Sequence, residues 1–245
     1  LTVTGWDLQY SKILKGFGYS RKKDQKAAAR LDYILEKRFS ISKLKKMIFG
    51  KPVFVIGAGP SLQSSIPVLK KYKNTIKICA DTALTPLLKN GIRPQIVVTD
   101  LDGDFDSLQK IGNKSIIIVH AHGDNIDKLE FAKNFKNCIG TTQGKKIGKI
   151  YNFGGFTDGD RCVFLSEFFG ASKIFLFGMD FGTKIGTYSN TKRKEMKTKL
   201  KKLQYAKMLL EWLAPKAHSE LFTLSKPIEG FTKITSKELK RNVTS

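Results

Sequence analysis

The chain has 245 residues, 41% hydrophobic and 27% charged, a balance that excludes a mainly disordered polypeptide and leaves ample length for a buried core. Its formal net charge is +23, but residues 1–80 carry +13, residues 181–245 carry +10 and residues 81–180 are neutral. That neutral centre holds 10 of the 13 aspartates, which argues against a simple nucleic-acid-binding module and suits a metal–phosphate site in cationic surroundings. No apolar run approaches the roughly 20 residues of a membrane-spanning helix. Leu1 to Tyr10 lack the basic-then-apolar pattern of a signal peptide. Cys79, Cys138 and Cys162 are odd in number, widely spaced and set in apolar stretches. They read as buried free thiols of a cytoplasmic protein, and no C-x-x-C or H-x-x-x-H pair offers a zinc site.

In chain order, residues 24–38 predict a helix, from an Asp start, an alanine run and helically spaced apolar residues. Val53–Ile56, Ile76–Ala80, Ile96–Thr99 and Ser115–Val119 are short, β-branched apolar runs that predict strands. Helix-like stretches at 82–90, 106–112 and 124–134 alternate with them, and a further helix is expected over 161–170. Lys173–Phe177 predicts another strand. Residues 192–213 predict a long basic helix whose apolar stripe includes Met196, Leu200, Leu203, Met208, Leu210 and Leu213. Wholly apolar strands separated by helices imply an α/β fold, a mostly parallel sheet with helices on both faces. Ligands of such sheets bind beyond the carboxyl ends of the strands. Gly57, Asp81, Asp100, His120 and Asp180 each fall just after an expected strand.

Four segments carry chemistry at those ends. Gly57-Ala58-Gly59-Pro60-Ser61-Leu62 permits close backbone approach to a phosphate, but it lacks both a third fingerprint glycine and a Gly-Lys-Ser/Thr, so a plain structural turn remains open. Thr99-Asp100-Leu101-Asp102-Gly103-Asp104-Phe105-Asp106-Ser107 alternates four aspartates, which suits Mg²⁺, or else forms a solvated turn with Asp106 or Ser107 as helix cap. An EF-hand starting at Asp100 would put Phe105 and Ile111 where Gly and Glu are required. His120-Ala121-His122-Gly123-Asp124-Asn125 holds two of the three histidines, suited to phosphate or metal-bound water, or to a structural role. Asn152 to Arg161 (NFGGFTDGDR) offers carboxylates, a guanidinium and two aromatic rings, or a glycine-rich turn capped by Asp. The lysines of 192–207 are either a solvated face or a triphosphate clamp.

Taken in order, GAGPSL, Asp81-Thr82-Ala83, VTDLDGD, HAHGDN, NFGGFTDGDR and GMDFG resemble the archaeal 6-hydroxymethyl-7,8-dihydropterin pyrophosphokinase family. Trp6, Tyr10, Ile13, Phe17-Gly18-Tyr19, Asp24 and the alanine run resemble that family's N-terminal helical part. A more distant similarity, to thiamine pyrophosphokinase, rests on spacing: Asp100 lies six residues after Pro94. Asp104-Phe105-Asp106-Ser107 matches that family's letters better but sits four residues late. The resemblance implies a thiamine-pyrophosphokinase-like, Rossmann-like fold with an N-terminal helical segment over 1–50, a packed cap or a homodimer arm. Residues 51–245 would be the catalytic domain. It implies Mg²⁺-dependent transfer of the ATP diphosphate to a reduced pterin, with release of AMP, in pterin- or folate-type cofactor biosynthesis. Asp100 and Asp102, with Asp104, would hold Mg²⁺, and Asp81 would complete the metal's surroundings. His122 and Asp124 would serve catalysis. Gly57, Gly59, Ser61 and Asn125 would serve the nucleotide, and Asp158, Asp160 and Arg161 the pterin or its incoming diphosphate. Two rivals are a CMP-sugar-dependent glycosyltransferase of the motility-accessory type, which shares the GxGPSL opening, and a basic nucleic-acid-binding protein. A membrane or a specific nucleic acid is not an expected partner.

Overall fold

The computed structural model describes residues 3–36, 38–184, 186, 188 and 195–244. Eight strands among them form one parallel sheet: β1 (Pro52–Ile56), β2 (Ile76–Ala80), β3 (Ile96–Thr99), β4 (Ile116–Ala121), β5 (Cys138–Thr142), β6 (Lys173–Phe177), β7 (Glu220–Thr223) and β8 (Thr232–Lys233). Their spatial order is β5-β4-β3-β2-β1-β6-β7-β8. Val53 pairs with Ile76 on one side and Ile174 on the other, so β1 is central. A buried strand needs apolar residues on both faces, and β1 supplies them by alternation. Val53 and Val55 join one core and Phe54 and Ile56 the other.

Helices cover both faces. α1 (Trp6–Phe17), α3 (Ile41–Ile48), α7 (Asp158–Phe168) and α8 (Met196–Leu213) pack on the Val53 face. α2 (Arg21–Ile34), α4 (Leu62–Lys71), α5 (Asp81–Lys89), α6 (Phe105–Ile111), a 3₁₀ segment (Ile126–Asn134) and α9 (Leu239–Thr244) pack on the other. The N-terminal helices are built into these cores: Trp6, Tyr10 and Ile13 into one, Ala27, Ala28 and Leu31 into the other. The three cysteines are buried and unpaired. No helix among the described residues is long and apolar enough to cross a membrane.

Several expectations shift. The predicted 24–38 helix runs over Arg21–Ile34, capped by Ser20, which accepts from Lys23 N. The predicted 161–170 helix begins earlier, at Asp158. The stretch predicted as a helix over 124–134 is 3₁₀ from Ile126 to Asn134. The fourth strand extends to Ala121, so His120 lies inside β4 and is 1% exposed, not at its mouth. β5 went unseen in the pattern because Gly140 and two threonines interrupt its apolar run; a Cβ at Gly140 would press on Leu31 at 3.0 Å. The long basic helix is described from Met196; residues 192–194 lie outside the described residues. Its buried stripe is Ala206, Leu209, Leu210 and Leu213, while Met196 and Met208 are exposed.

Candidate active site

The chain lays down β1 to β5 in one direction and then returns beneath the sheet through α7 to place β6 beside β1. The strand order therefore reverses beside β1, and a cleft lies there over the carboxyl ends of the strands, lined by the loops after β1, β3 and β6 and by the start of α7. It encloses about 940 Å³, counting its open mouth. Gly57 and Gly59 line it and also let the β1 and β6 loops touch. A Cβ at Gly57 would sit 2.7 Å from Gly178 O, and one at Gly59 would sit 2.6 Å from the same atom. Gly59 N donates to that carbonyl at 2.7 Å. Ser61 N and Oγ both donate to Asp180 Oδ2, at 2.8 and 2.7 Å. Ser61 thus latches the β1 loop to the β6 loop, and its hydroxyl is spent within the protein.

Asp81, Asp100, Asp102 and Asp158 bring carboxylate oxygens within 4.8 Å of one another at the strand ends. Asp81 starts α5 directly after β2, Asp100 and Asp102 follow β3, and Asp158 starts α7. Leu101 holds the middle pair together. It is the one non-glycine residue with positive φ among the described residues (65°), a conformation that costs an L-residue about 1 kcal/mol or more. Thr99 Oγ1 supports it by accepting from Leu101 N at 2.8 Å while donating to Asp81 Oδ2. Gly103 N also donates to Asp81 Oδ2, at 3.2 Å, and any side chain at Gly103 would overlap that carboxylate.

The cluster is electrostatically unbalanced by itself. Burial, then the charges of Asp100 and Asp102, push the Asp81 carboxyl up to about 7 despite its hydrogen bonds. Burial and the Asp100 charge push Asp102 up to about 6, and burial followed by Asp100's charge raises Asp158 well above the carboxylate range. Burial opposes ionisation of Asp100 too, but hydrogen bonds from His122 and Asp102 and the charges of His122 and Arg161 hold it well below that range. Asp81 Oδ1 and Asp100 Oδ1 are buried with no hydrogen-bond partner. Orphaned carboxylate oxygens in an all-oxygen donor set fit a hard divalent cation such as Mg²⁺.

Other candidates from the sequence sit elsewhere. Asp104 is outside the cluster: it caps α6, accepting from Asp106 N at 3.2 Å, Ser107 Oγ at 2.7 Å and Thr85 Oγ1 at 2.9 Å. Asp160 is fully buried and closes a capping box, accepting from Phe156 N at 2.6 Å and Thr157 N at 2.7 Å. Arg161 is absent from the cleft lining; it lines a smaller pocket with His120 and pairs with Asp158 at 3.2 Å. Asn125 is a staple, not a phosphate contact: its Nδ2 donates to Asp100 O and His120 O, both at 2.7 Å, and its Oδ1 accepts from His122 N at 3.0 Å. Asp124 is exposed and outside the cleft lining. Its backbone N lies 3.3 Å from His122 Nδ1, and Nε2 of that ring lies 3.4 Å from Asp100 Oδ2. His122 therefore contacts Asp100 and is absent from the cleft lining. Asp158, expected from the resemblance to serve the pterin or its incoming diphosphate, lines the cleft and also joins the carboxylates. Phe156, Met179 and Phe181 supply the apolar wall of the cleft. Met179 and Phe181 belong to the GMDFG segment, which the sequence marks by its place after a strand without assigning it an apolar contact.

A family model described as 6-hydroxymethylpterin diphosphokinase MptE-like matches residues 25–186. A 6-hydroxymethyl-7,8-dihydropterin pyrophosphokinase of Methanocaldococcus jannaschii is 44% identical over 88% of this chain and 97% of its own. Its namesake in Pyrococcus furiosus is 41% identical over 90% of this chain and 97% of its own. That of Methanothermobacter thermautotrophicus is 38% identical over 87% and 95%. Among solved structures, the MAf glycosyltransferase from Magnetospirillum magneticum AMB-1 superposes with a TM-score of 0.58 at 17% identity. That match covers 88% of this chain but 38% of the larger one, and shows a shared fold. By the span of the family model and the identity to these relatives, the chain belongs to the MptE-like 6-hydroxymethylpterin diphosphokinase family.

Proposed function

We propose that this protein transfers the β,γ-diphosphate of ATP to the hydroxymethyl oxygen of 6-hydroxymethyl-7,8-dihydropterin and releases AMP. The observation that carries the reading is the four-carboxylate cluster at the edge of the β1/β6 cleft, in a chain related over nearly its whole length to enzymes of that name. The pterin oxygen bonds to the β-phosphorus, the bond from that phosphorus to the α,β-bridging oxygen breaks, and AMP leaves with the bridging oxygen. The hydroxyl proton is released. Such a transfer asks the protein mainly for in-line positioning and charge neutralisation.

Asp100 and Asp102, with Asp81 and Asp158, would hold Mg²⁺, which when bound would neutralise phosphate charge. His122 keeps Asp100 ionised and aimed. The glycines of the β1 loop let backbone approach the nucleotide, and Phe156, Met179 and Phe181 give a flat heterocycle apolar surface while excluding water. The buried thiols suit a reducing cytoplasm. The test is to incubate the protein with Mg²⁺, ATP and 6-hydroxymethyl-7,8-dihydropterin and to follow AMP and diphosphorylated pterin. Absence of both products at high enzyme concentration overturns the reading. Thermal stabilisation by CMP but not by ATP would point to the glycosyltransferase chemistry instead.

A further inference from the structure

The phase of α8 carries information that its charge does not. Its buried stripe runs Leu213, Leu210, Leu209, Ala206. Stepping toward the N-terminus by three and four residues, the same stripe continues through Leu203, Lys202 and Lys199. All three line the cleft. A helix with merely solvated charge keeps its lysines on the face away from the protein. Here the inward face turns from apolar to basic where the helix leaves the core and overhangs the cleft.

The other described lysines of the segment behave differently. Lys207 pairs with Glu211, Lys201 donates to Gly16 O and lies over the Phe17 ring, and Lys197 is exposed. Lys199 and Lys202 are half-buried, and neither makes a hydrogen bond or ion pair among the described residues. Lys199 stands near enough to Asp102 for its charge to act on that carboxyl. The cleft thus has walls of opposite sign, with carboxylates at the strand ends and ammonium groups on α8. A bare anion is repelled by the first wall and a bare cation by the second. A cation-bridged oligophosphate satisfies both. Residues three apart on a helix stand about 5–6 Å apart at Cβ, within reach of neighbouring phosphate groups.

We infer that Lys199 and Lys202 bind phosphate at this site and grip the diphosphate portion of the Mg²⁺-nucleotide, the part that is transferred. The inference rests on the proposed diphosphate transfer for its substrate, but its binding test does not need turnover. Lys199→Gln and Lys202→Gln, singly and together, are compared with Lys197→Gln as a control on the same helix. Three quantities are measured: the KM for MgATP, the KM for the pterin, and the affinities of inorganic triphosphate with Mg²⁺ and of AMP by calorimetry.

Each single variant is expected to raise the MgATP KM and weaken triphosphate about tenfold, and the double variant about a hundredfold. AMP affinity and the pterin KM should stay within about twofold, and Lys197→Gln should match the wild type. Unchanged triphosphate affinity in the double variant overturns the inference. So does an equal loss of AMP affinity, or an equal effect of Lys197→Gln, either of which would reduce the lysines to a general positive field. A folded wild type that binds triphosphate through these lysines but releases no AMP would refute the proposed reaction and leave this inference standing.

Discussion

Replacing Asp81 by Asn should stabilise the metal-free protein while disabling its metal response. Asp81 is 2% exposed, and its carboxyl is pushed from an ordinary 3.8 to about 7, first by burial and then by Asp100 and Asp102. At about 1.4 kcal/mol per pKa unit, the folded state then carries a penalty of about 4 kcal/mol once this group is ionised. Between about pH 4 and pH 7 the folded state binds more protons here than the unfolded chain. Wild-type stability therefore falls with rising pH across that window, and the full penalty applies above it. Asn keeps an oxygen to accept from Thr99 Oγ1 and Gly103 N. Its amide replaces the unpartnered Oδ1 and can donate to the neighbouring carboxylates. Urea melts in EDTA at pH 8 should thus show a gain approaching about 4 kcal/mol, roughly 10 °C in Tm for a chain of this size. The gain should vanish near pH 4. Mg²⁺ titrations should raise the wild-type Tm and leave the variant's nearly unmoved. An Asn variant no more stable than wild type at pH 8 in EDTA, or one with an undiminished Mg²⁺ shift, would refute the reasoning.

Asp100→Asn should abolish Mg²⁺-dependent AMP release in a folded protein, whereas Asp104→Asn should leave Mg²⁺ affinity within about twofold, because Asn caps a helix as well as Asp does; calorimetry on the two variants checks this. Thr99→Val should cost about 1–3 kcal/mol by leaving Leu101 N unsatisfied and removing one of the two donors to Asp81 Oδ2, and it should weaken Mg²⁺ binding by loosening the left-handed Leu101 turn; denaturant melts and Mg²⁺ titration read both. Asn125→Ala should lower stability by about 2–3 kcal/mol, since it removes the bonds that tie the β3 end to the β4 end, and the folded enzyme should keep its MgATP KM; a tenfold rise in that KM at full folding would restore Asn125 as a substrate contact.

The strands of the central sheet were legible because buried parallel strands are written as unbroken apolar runs, and their ends marked where chemistry would collect. β1, β2, β3 and β6 follow that pattern within a residue. β7 and β8 did not: β7 is apolar only at Leu221 and Phe222, between an exposed Glu220 and Thr223, and the edge strand β8 is two residues long. In the aspartate-rich segment, one-dimensional spacing separated Asp100 and Asp102 from Asp104 and Asp106, but identical side chains gave no reason to trust it. The backbone supplies that reason: a left-handed Leu101 turns the first pair into the cleft, and the start of α6 takes Asp104 as its cap.

Sequence alone determined the fold class, the family and the edge of the sheet at which to look, since local periodicity and ordered motifs are properties of the chain. Only tertiary structure decided membership of the site. Asp158 reaches Asp81 across the chain's return to β6, a contact no local pattern encodes. Asn125 and Asp160 look chemical in sequence, yet folding consumes their polar atoms on backbone groups that would otherwise be buried without partners. The surplus of +23 resolves in the same way. Charge has no direction in a sequence, and only the rotational phase of α8 against the sheet tells that helix's two cleft-lining lysines from those facing water.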